Sequence, residues 1–200
     1  MQSRMCRKIG IALGMALATI GLRVQASGFE IKGLAPAMTI EQLHVKYPRL
    51  GCAPPDRGWF ETCGYAPTPG IDTKDLPHIE ALDTVAGAQL SSLDVNFGPG
   101  SRAAEIHVWL HPVAYDSVFA GLVGKFGKPR ATRRVTYRNG FGATFVGREA
   151  LWMRGSQLMQ LTEYAGSTDT MLLAAWDDKL SAALEASKAA FEKKKAKGDL

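Results

Sequence analysis

The chain has 200 residues, 46% of them hydrophobic and 22% charged, with a formal net charge of +5. Four basic residues (Arg4, Arg7, Lys8 and Arg23) precede the first acid, Glu30, so residues 27–200 hold 20 basic against 19 acidic groups. That near balance removes the electrostatic ground for nucleic-acid binding, and the length suits one domain with a sizeable core or two small units sharing one.

The N-terminus reads as a secretory signal. A basic start is followed by 14 mostly apolar residues, Ile9 to Leu22, and then by Val24-Gln25-Ala26, a small-residue cleavage pattern. The apolar run is shorter than the ~20 residues a membrane span needs. No cysteine stands directly after the cleavage point, which argues against lipid anchoring, and Cys6 leaves with the signal. No later stretch is apolar enough to cross a bilayer, so the expectation is a periplasmic or secreted protein cleaved near Ala26.

Phe29-Glu30-Ile31-Lys32 alternates like a short strand. Thr39-Ile40-Glu41-Gln42 has the form of a capping box, opening a helix with Ile40, Leu43 and Tyr47 on one side that ends near Pro48. Residues 51–77 contain five prolines and predict ordered loop with a strand at 60–65. Leu93, Val95 and Phe97 alternate with polar residues, as do Ile106, Val108 and Leu110, and Gly98-Pro99-Gly100-Ser101 joins them into a hairpin. Pro112 opens a helix carrying Tyr115, Val118, Phe119, Leu122 and Phe126, which Gly127 and Pro129 stop. Strands are predicted at 133–137, 143–146, 150–154, 157–164 and 170–175, with Gly155-Ser156 as a type II′ turn. Asp177 or Asp178 caps a last helix with Leu180, Ala183, Leu184 and Phe191 on one face, interrupted by Ser187, and Lys193 to Lys197 fray into solvent.

This order predicts an α+β fold: an antiparallel sheet with helices packed on one face. The divisions are a signal at 1–26, an α+β domain at 27–176, and a C-terminal helix with a basic tail at 177–200. Two helices run into similar ends, Val45-Lys46-Tyr47-Pro48 and Gly124-Lys125-Phe126-Gly127-Lys128-Pro129, each followed by strands. They raise the expectation of tandem helix-plus-strands repeats at 27–111 and 112–176.

Gly33-Leu34-Ala35-Pro36-Ala37-Met38-Thr39-Ile40-Glu41-Gln42-Leu43 resembles the G-x-x-x-G-M-T-x-x-[EQ]-[VL] segment of small exported bacterial envelope proteins. These are the SmpA/OmlA-type (BamE-like) outer-membrane assembly lipoproteins and proteins shaped like the β-lactamase inhibitor protein. The resemblance implies a helix or helical hairpin on a small antiparallel sheet, sometimes in tandem, and a role in protein–protein contact. Ala37 stands where Gly is usual and the lipidation cysteine is missing, which places the likeness with secreted members and carries no partner across.

Few residues offer chemistry. His107 and His111 share a strand face but sit ~13 Å apart at ~3.3 Å per residue, too far for one metal. His44 and His78 have no ligand-like spacing, so no metal or cofactor is expected. His107, Trp109 and His111 point away from the core side of the hairpin and match Asp94 and Asn96; they form either a protein-binding face or a second core layer covered by another element. Lys128, Arg130, Arg133, Arg134 and Arg138 make a basic stretch that suits a solvated edge strand, or contact with an acidic partner or anionic lipid. No nucleophile elbow or phosphate loop is present, and Asp177-Asp178 reads as a helix cap, so no catalytic residues are assigned.

Cys52 and Cys63, the cysteines left after cleavage, bracket ten residues with the order C-A-P-P-D-R-G-W-F-E-T-C. A metal site needs further ligands nearby and a redox pair is normally two residues apart, whereas export favours a structural disulfide. The loop it closes carries Arg57, Trp59 and Phe60 and is a second candidate contact surface. The resulting expectation is a non-catalytic interaction or accessory module of the cell envelope with a protein partner, the alternative being a small-ligand or lipid-binding envelope protein.

Overall fold

The computed structural model describes residues 28–48, 50–53, 61–65, 84–138 and 142–197. The predicted signal with Cys6, His78, and the loop residues Arg57, Trp59 and Phe60 lie outside the described residues. In chain order the elements are α1 (Ile40–Lys46), β1 (Gly51–Ala53), β2 (Thr62–Tyr65), β3 (Thr84–Val85), β4 (Ala88–Gly98) and β5 (Arg102–Leu110). A 3₁₀ turn at Pro112–Ala114 leads into α2 (Tyr115–Phe126), β6 (Ala131–Arg138), β7 (Thr144–Arg154), β8 (Gln157–Thr162), β9 (Met171–Asp177) and α3 (Asp178–Ala196).

The nine strands among the described residues form one antiparallel sheet of order β1-β2-β4-β5-β9-β8-β7-β6, with β3 pairing β4. Strand alternation decides its faces. Val95, Ile106, Ala175, Met159 and Trp152 line up across five strands. Leu93, Val108, Leu173, Leu161 and Ala150 form the next row on the same side. All ten are buried, and this face is the main core.

Two helices cover it. The capping box of α1 forms as its sequence predicts: Thr39 accepts from the Gln42 N–H, and Gln42 accepts from the Thr39 N–H. Just before it Ala37 takes φ 70, the left-handed region that favours glycine, while its N–H donates to the Ala103 carbonyl at 2.8 Å. α2 lies at the other end of the face, its Phe119 ring 6.0 Å from that of Trp152. The indole N–H of Trp152 donates to the carbonyl of Gly127, just past the helix end, at 2.9 Å.

The third helix corrects the expectation that all helices share one face. Glu105 points to the side opposite Ile106, and the Ser181 hydroxyl of α3 donates to it at 2.5 Å. α3 follows β9 without a loop and Asp177 caps it, accepting from the Lys179 and Leu180 N–H groups. With α1 and α2 already over the Ile106 face, the stripe around Leu184 (2% exposed) buries itself on the Glu105 face of β4 and β5. The helix also runs on to Ala196, past the point where the lysine-rich end was expected to fray.

Other boundaries shift for local reasons. The strands expected at 143–146 and 150–154 are one strand, β7, because Gly147 continues it rather than turning it. A Cβ at Gly147 would lie 2.7 Å from the Tyr164 ring and 2.9 Å from the Tyr137 ring, so glycine here makes room for two aromatics. The strand expected at 29–32 reduces to a single bridge between Ile31 and Leu34. The Gly155-Ser156 turn has Gly155 at φ 60, as a type II′ turn requires, and the Ser156 hydroxyl donates to Asp177 at 2.6 Å.

Candidate binding cleft beside the free edge

β6 ends the sheet and pairs only with β7 among the described residues. Its side chains are exposed or half-buried along its length. On the side facing α2 the register sets Thr132 opposite Ala150 and Arg134 opposite Arg148. A cleft of about 330 Å³ opens there between α2 and the β6–β7 hairpin, lined by Tyr115, Asp116, Phe119, Thr132, Arg134 and Arg148 among others.

Its floor is aromatic. Tyr115 and Phe119, one helical turn apart, stack with ring centroids 6.0 Å apart and planes 10° from parallel, and Phe119 continues onto Trp152. Burial raises the Tyr115 pKa above its ordinary value, so the ring enters as a neutral phenol.

Three arginines line the cleft, Arg133, Arg134 and Arg148, and they differ. Arg148 is saturated: its Nε and Nη2 donate to Glu163 at 2.9 and 3.0 Å, its Nη1 donates to Asp116 at 2.6 Å, and its guanidinium lies 4.1 Å from the Tyr115 ring centroid. The Glu163 and Asp116 hydrogen bonds raise its pKa further above the arginine range. Arg134 has no hydrogen-bond or charge partner among the described residues. Arg133 and Glu149 also line the cleft: Arg133 Nε donates to Glu149 at 2.6 Å, and the Tyr137 hydroxyl donates to the same carboxylate at 3.0 Å. Burial, aided by that carboxylate, pushes the Tyr137 pKa up to about 12. Of the arginines that line the cleft, Arg133 and Arg148 are neutralised, and Arg134 is the one with no charge partner among the described residues.

The residues singled out in the sequence are placed differently. His107 and Trp109 do share the Glu105 face, and both are half-buried. The Trp109 indole N–H donates to Asp94 at 3.0 Å, and His107 Nε2 lies 3.7 Å from Glu105. α3 lies against this face beside them. His111 is exposed beyond the strand end, where its Nδ1 accepts from the Val113 N–H at 3.3 Å and caps the 3₁₀ turn.

Burial is the largest influence on His107 and lowers its pKa below the ordinary 6.5; Glu105 and Asp94 oppose it, and Lys188 adds to it. A depressed folded-state value means the fold prefers the neutral ring. That stability is present above 6.5 and is lost as pH falls through it toward the folded value. His107→Gln should therefore flatten the drop in melting temperature between about pH 7.5 and 5. Identical pH profiles for the two proteins would show that His107 does not titrate against the fold.

At the far end of the sheet Cys52 and Cys63 face each other in register and are joined as a disulfide. Of the alternatives the sequence posed, the staple is the one present. His44 is brought to it as no spacing suggested: its Nε2 lies 3.2 Å from Cys52 Sγ. The separation along the chain hid this contact, because it depends on the three-residue strand β1, too short to register as a strand pattern.

Comparison with known proteins adds no relative: no family model, no curated protein and no solved structure matches the chain.

Proposed function

We propose that the protein is an exported, non-catalytic binding module that takes an acidic, extended segment of a partner protein along β6. The observation that carries this reading is Arg134, which lines an aromatic cleft beside the edge strand β6 and has no charge partner among the described residues. An added strand would satisfy the free backbone edge, a partner carboxylate would meet Arg134, and an apolar side chain would rest on Tyr115 and Phe119. Edge charges also discourage aggregation, but that role needs no aromatic cleft beside them.

Export is part of the proposal, with cleavage near Ala26. Its support is the disulfide, which persists in oxidising compartments, and the absence among the described residues of any helix long and apolar enough to cross a membrane. Kinship with the SmpA/OmlA-type and inhibitor-like proteins is also proposed; in its favour, Ala37 adopts the left-handed conformation at the position where those proteins usually carry glycine. The tandem arrangement is supported by the strand order, in which α1 and α2 each precede strands that run in chain order from a sheet edge in to the central β5–β9 pair.

The test is a calorimetric titration with a synthetic peptide of alternating Glu and Val. Arg134→Glu should weaken binding at least ~10-fold, about 1.4 kcal/mol, with an unchanged melting temperature, while the off-cleft Arg130→Glu leaves it unaltered. Equal affinity for wild type and Arg134→Glu would end the β6 reading. Saturation by a small aromatic carboxylate in place of the peptide would shift the conclusion to a small-ligand protein using the same cleft, whose volume lies in the range of such sites.

A further inference from the structure

A second chemistry sits at the opposite end of the sheet and does not depend on the β6 reading. α1 supplies His44, β1 supplies Cys52 and β2 supplies Cys63, and the imidazole nitrogen and the two sulfurs lie within 4.8 Å of one another. His44 is exposed, Cys52 half-buried and Cys63 fully buried, so the cluster opens to solvent on the histidine side. We propose that this corner is a redox-gated metal site: reduced, it binds one Zn²⁺ through two thiolates and the His44 imidazole, and formation of the disulfide releases the ion.

The geometry needs little adjustment. Bonds of about 2.3 Å to sulfur and about 2.0 Å to nitrogen place tetrahedral ligand atoms roughly 3.5–3.8 Å apart. His44 Nε2 and Cys52 Sγ, at 3.2 Å, are already within a few tenths of that spacing. The sulfurs must move from the ~2 Å of any disulfide to about 3.8 Å, which a χ1 rotation of the half-buried Cys52 supplies while buried Cys63 stays in place, and the exposed His44 side chain turns with the displaced sulfur to re-form their contact. Strand pairing holds the two backbones in register throughout. Two thiolates and one imidazole select a thiophilic ion over Mg²⁺ or Ca²⁺, and three protein ligands leave one position for water.

The redox step balances as thiol–disulfide exchange. A dithiol reductant gives two electrons and two protons to the Cys52–Cys63 bond and leaves as its own disulfide. The two new thiols lose their protons to solvent as Zn²⁺ binds. A disulfide oxidant reverses the exchange, taking both electrons from the thiolates and expelling the ion.

The test uses the full-length protein carrying Cys6→Ser, so that Cys52 and Cys63 are its only cysteines. The protein is reduced anaerobically with a phosphine, desalted, and titrated with Zn²⁺ against a chromophoric chelator, with far-UV circular dichroism recorded alongside. The reduced protein should retain its strand signal and bind one Zn²⁺, and the oxidised protein none. His44→Ala should weaken binding by at least the ~10-fold that even outer-shell partners of a metal site contribute. Co²⁺ in place of Zn²⁺ should give thiolate-to-metal charge-transfer absorption in the reduced protein alone. Equal binding by wild type and His44→Ala would overturn the proposal, since two cysteines alone would then be chelating. So would Zn²⁺ binding by the oxidised form, or a reduced chain that neither keeps its fold nor binds the ion.

Discussion

Trp152→Ala is expected to destabilise the fold by about 3–5 kcal/mol and to lower the melting temperature by roughly 6–20 °C. Trp152 is 2% exposed, and truncation leaves a large cavity between β7 and α2. Two further losses accompany it. Phe119 loses one of its two ring neighbours, and the Gly127 carbonyl loses its indole donor. Trp152→Phe separates these effects: it keeps a ring against Phe119 and removes the donor, and should cost about 1–3 kcal/mol for the orphaned carbonyl together with the smaller ring. Denaturant titration of the three proteins checks the ordering. A cost below about 1 kcal/mol for the alanine variant would mean that α2 does not rest on this residue. Because Phe119 bridges Trp152 to Tyr115, the alanine variant should also lose peptide binding at the cleft, whereas Trp152→Phe should keep most of it.

Loss of the disulfide is the second large effect. Cys52 and Cys63 are 11 residues apart, and in the chain-entropy account closing so short a loop contributes about 3 kcal/mol. The Cys52→Ala/Cys63→Ala variant should therefore melt roughly 6–12 °C below wild type. Its cost is concentrated on β1 and β2, which the bond ties together, and β2 in turn pairs with β4. Amide exchange should accelerate first in those two strands while β5, β8 and β9 keep their protection. Uniform acceleration over the sheet would show instead that the staple supports the whole fold. Since small domains are stable by about 5–15 kcal/mol, losing the bond need not unfold the chain, which is what a metal site in the reduced state requires.

The parts of the fold that announce themselves in the sequence are those with an unbroken local pattern. Alternation in β4 and β5, the Thr39–Gln42 capping box and the Gly155-Ser156 turn each depend on residues a few positions apart. The third helix shows the limit of such patterns: Leu180, Leu184 and Phe191 declare an apolar stripe, yet nothing in the stripe says which side of the sheet is still vacant. The pattern over 143–154 reads as two strands, and the place of Gly147 inside the single strand β7 is visible only once Tyr137 and Tyr164 are seen closing over it. At the sites, the basic run from Lys128 to Arg138 reads as uniform charge. Only the cross-strand partners Glu149 and Glu163, and Asp116 on α2, show that Arg133 and Arg148 are satisfied and Arg134 is not. His44 and Cys52 meet because a helix and a short strand turn toward each other, a tertiary fact with no signature along the chain.

The β5–β9 pair bears on how the protein acquires its shape. β4–β5, β6–β7 and β7–β8 each join strands that are neighbours in the chain, so each can close as a local hairpin within microseconds. β5 and β9 bring together positions as distant as Glu105 and Trp176, and neither half buries its row of core residues until they do. That closure carries the largest loop entropy in the sheet, so it should set the folding rate. Substitutions at Val108 or Leu173 should then slow refolding, whereas those in β6 should mainly speed unfolding.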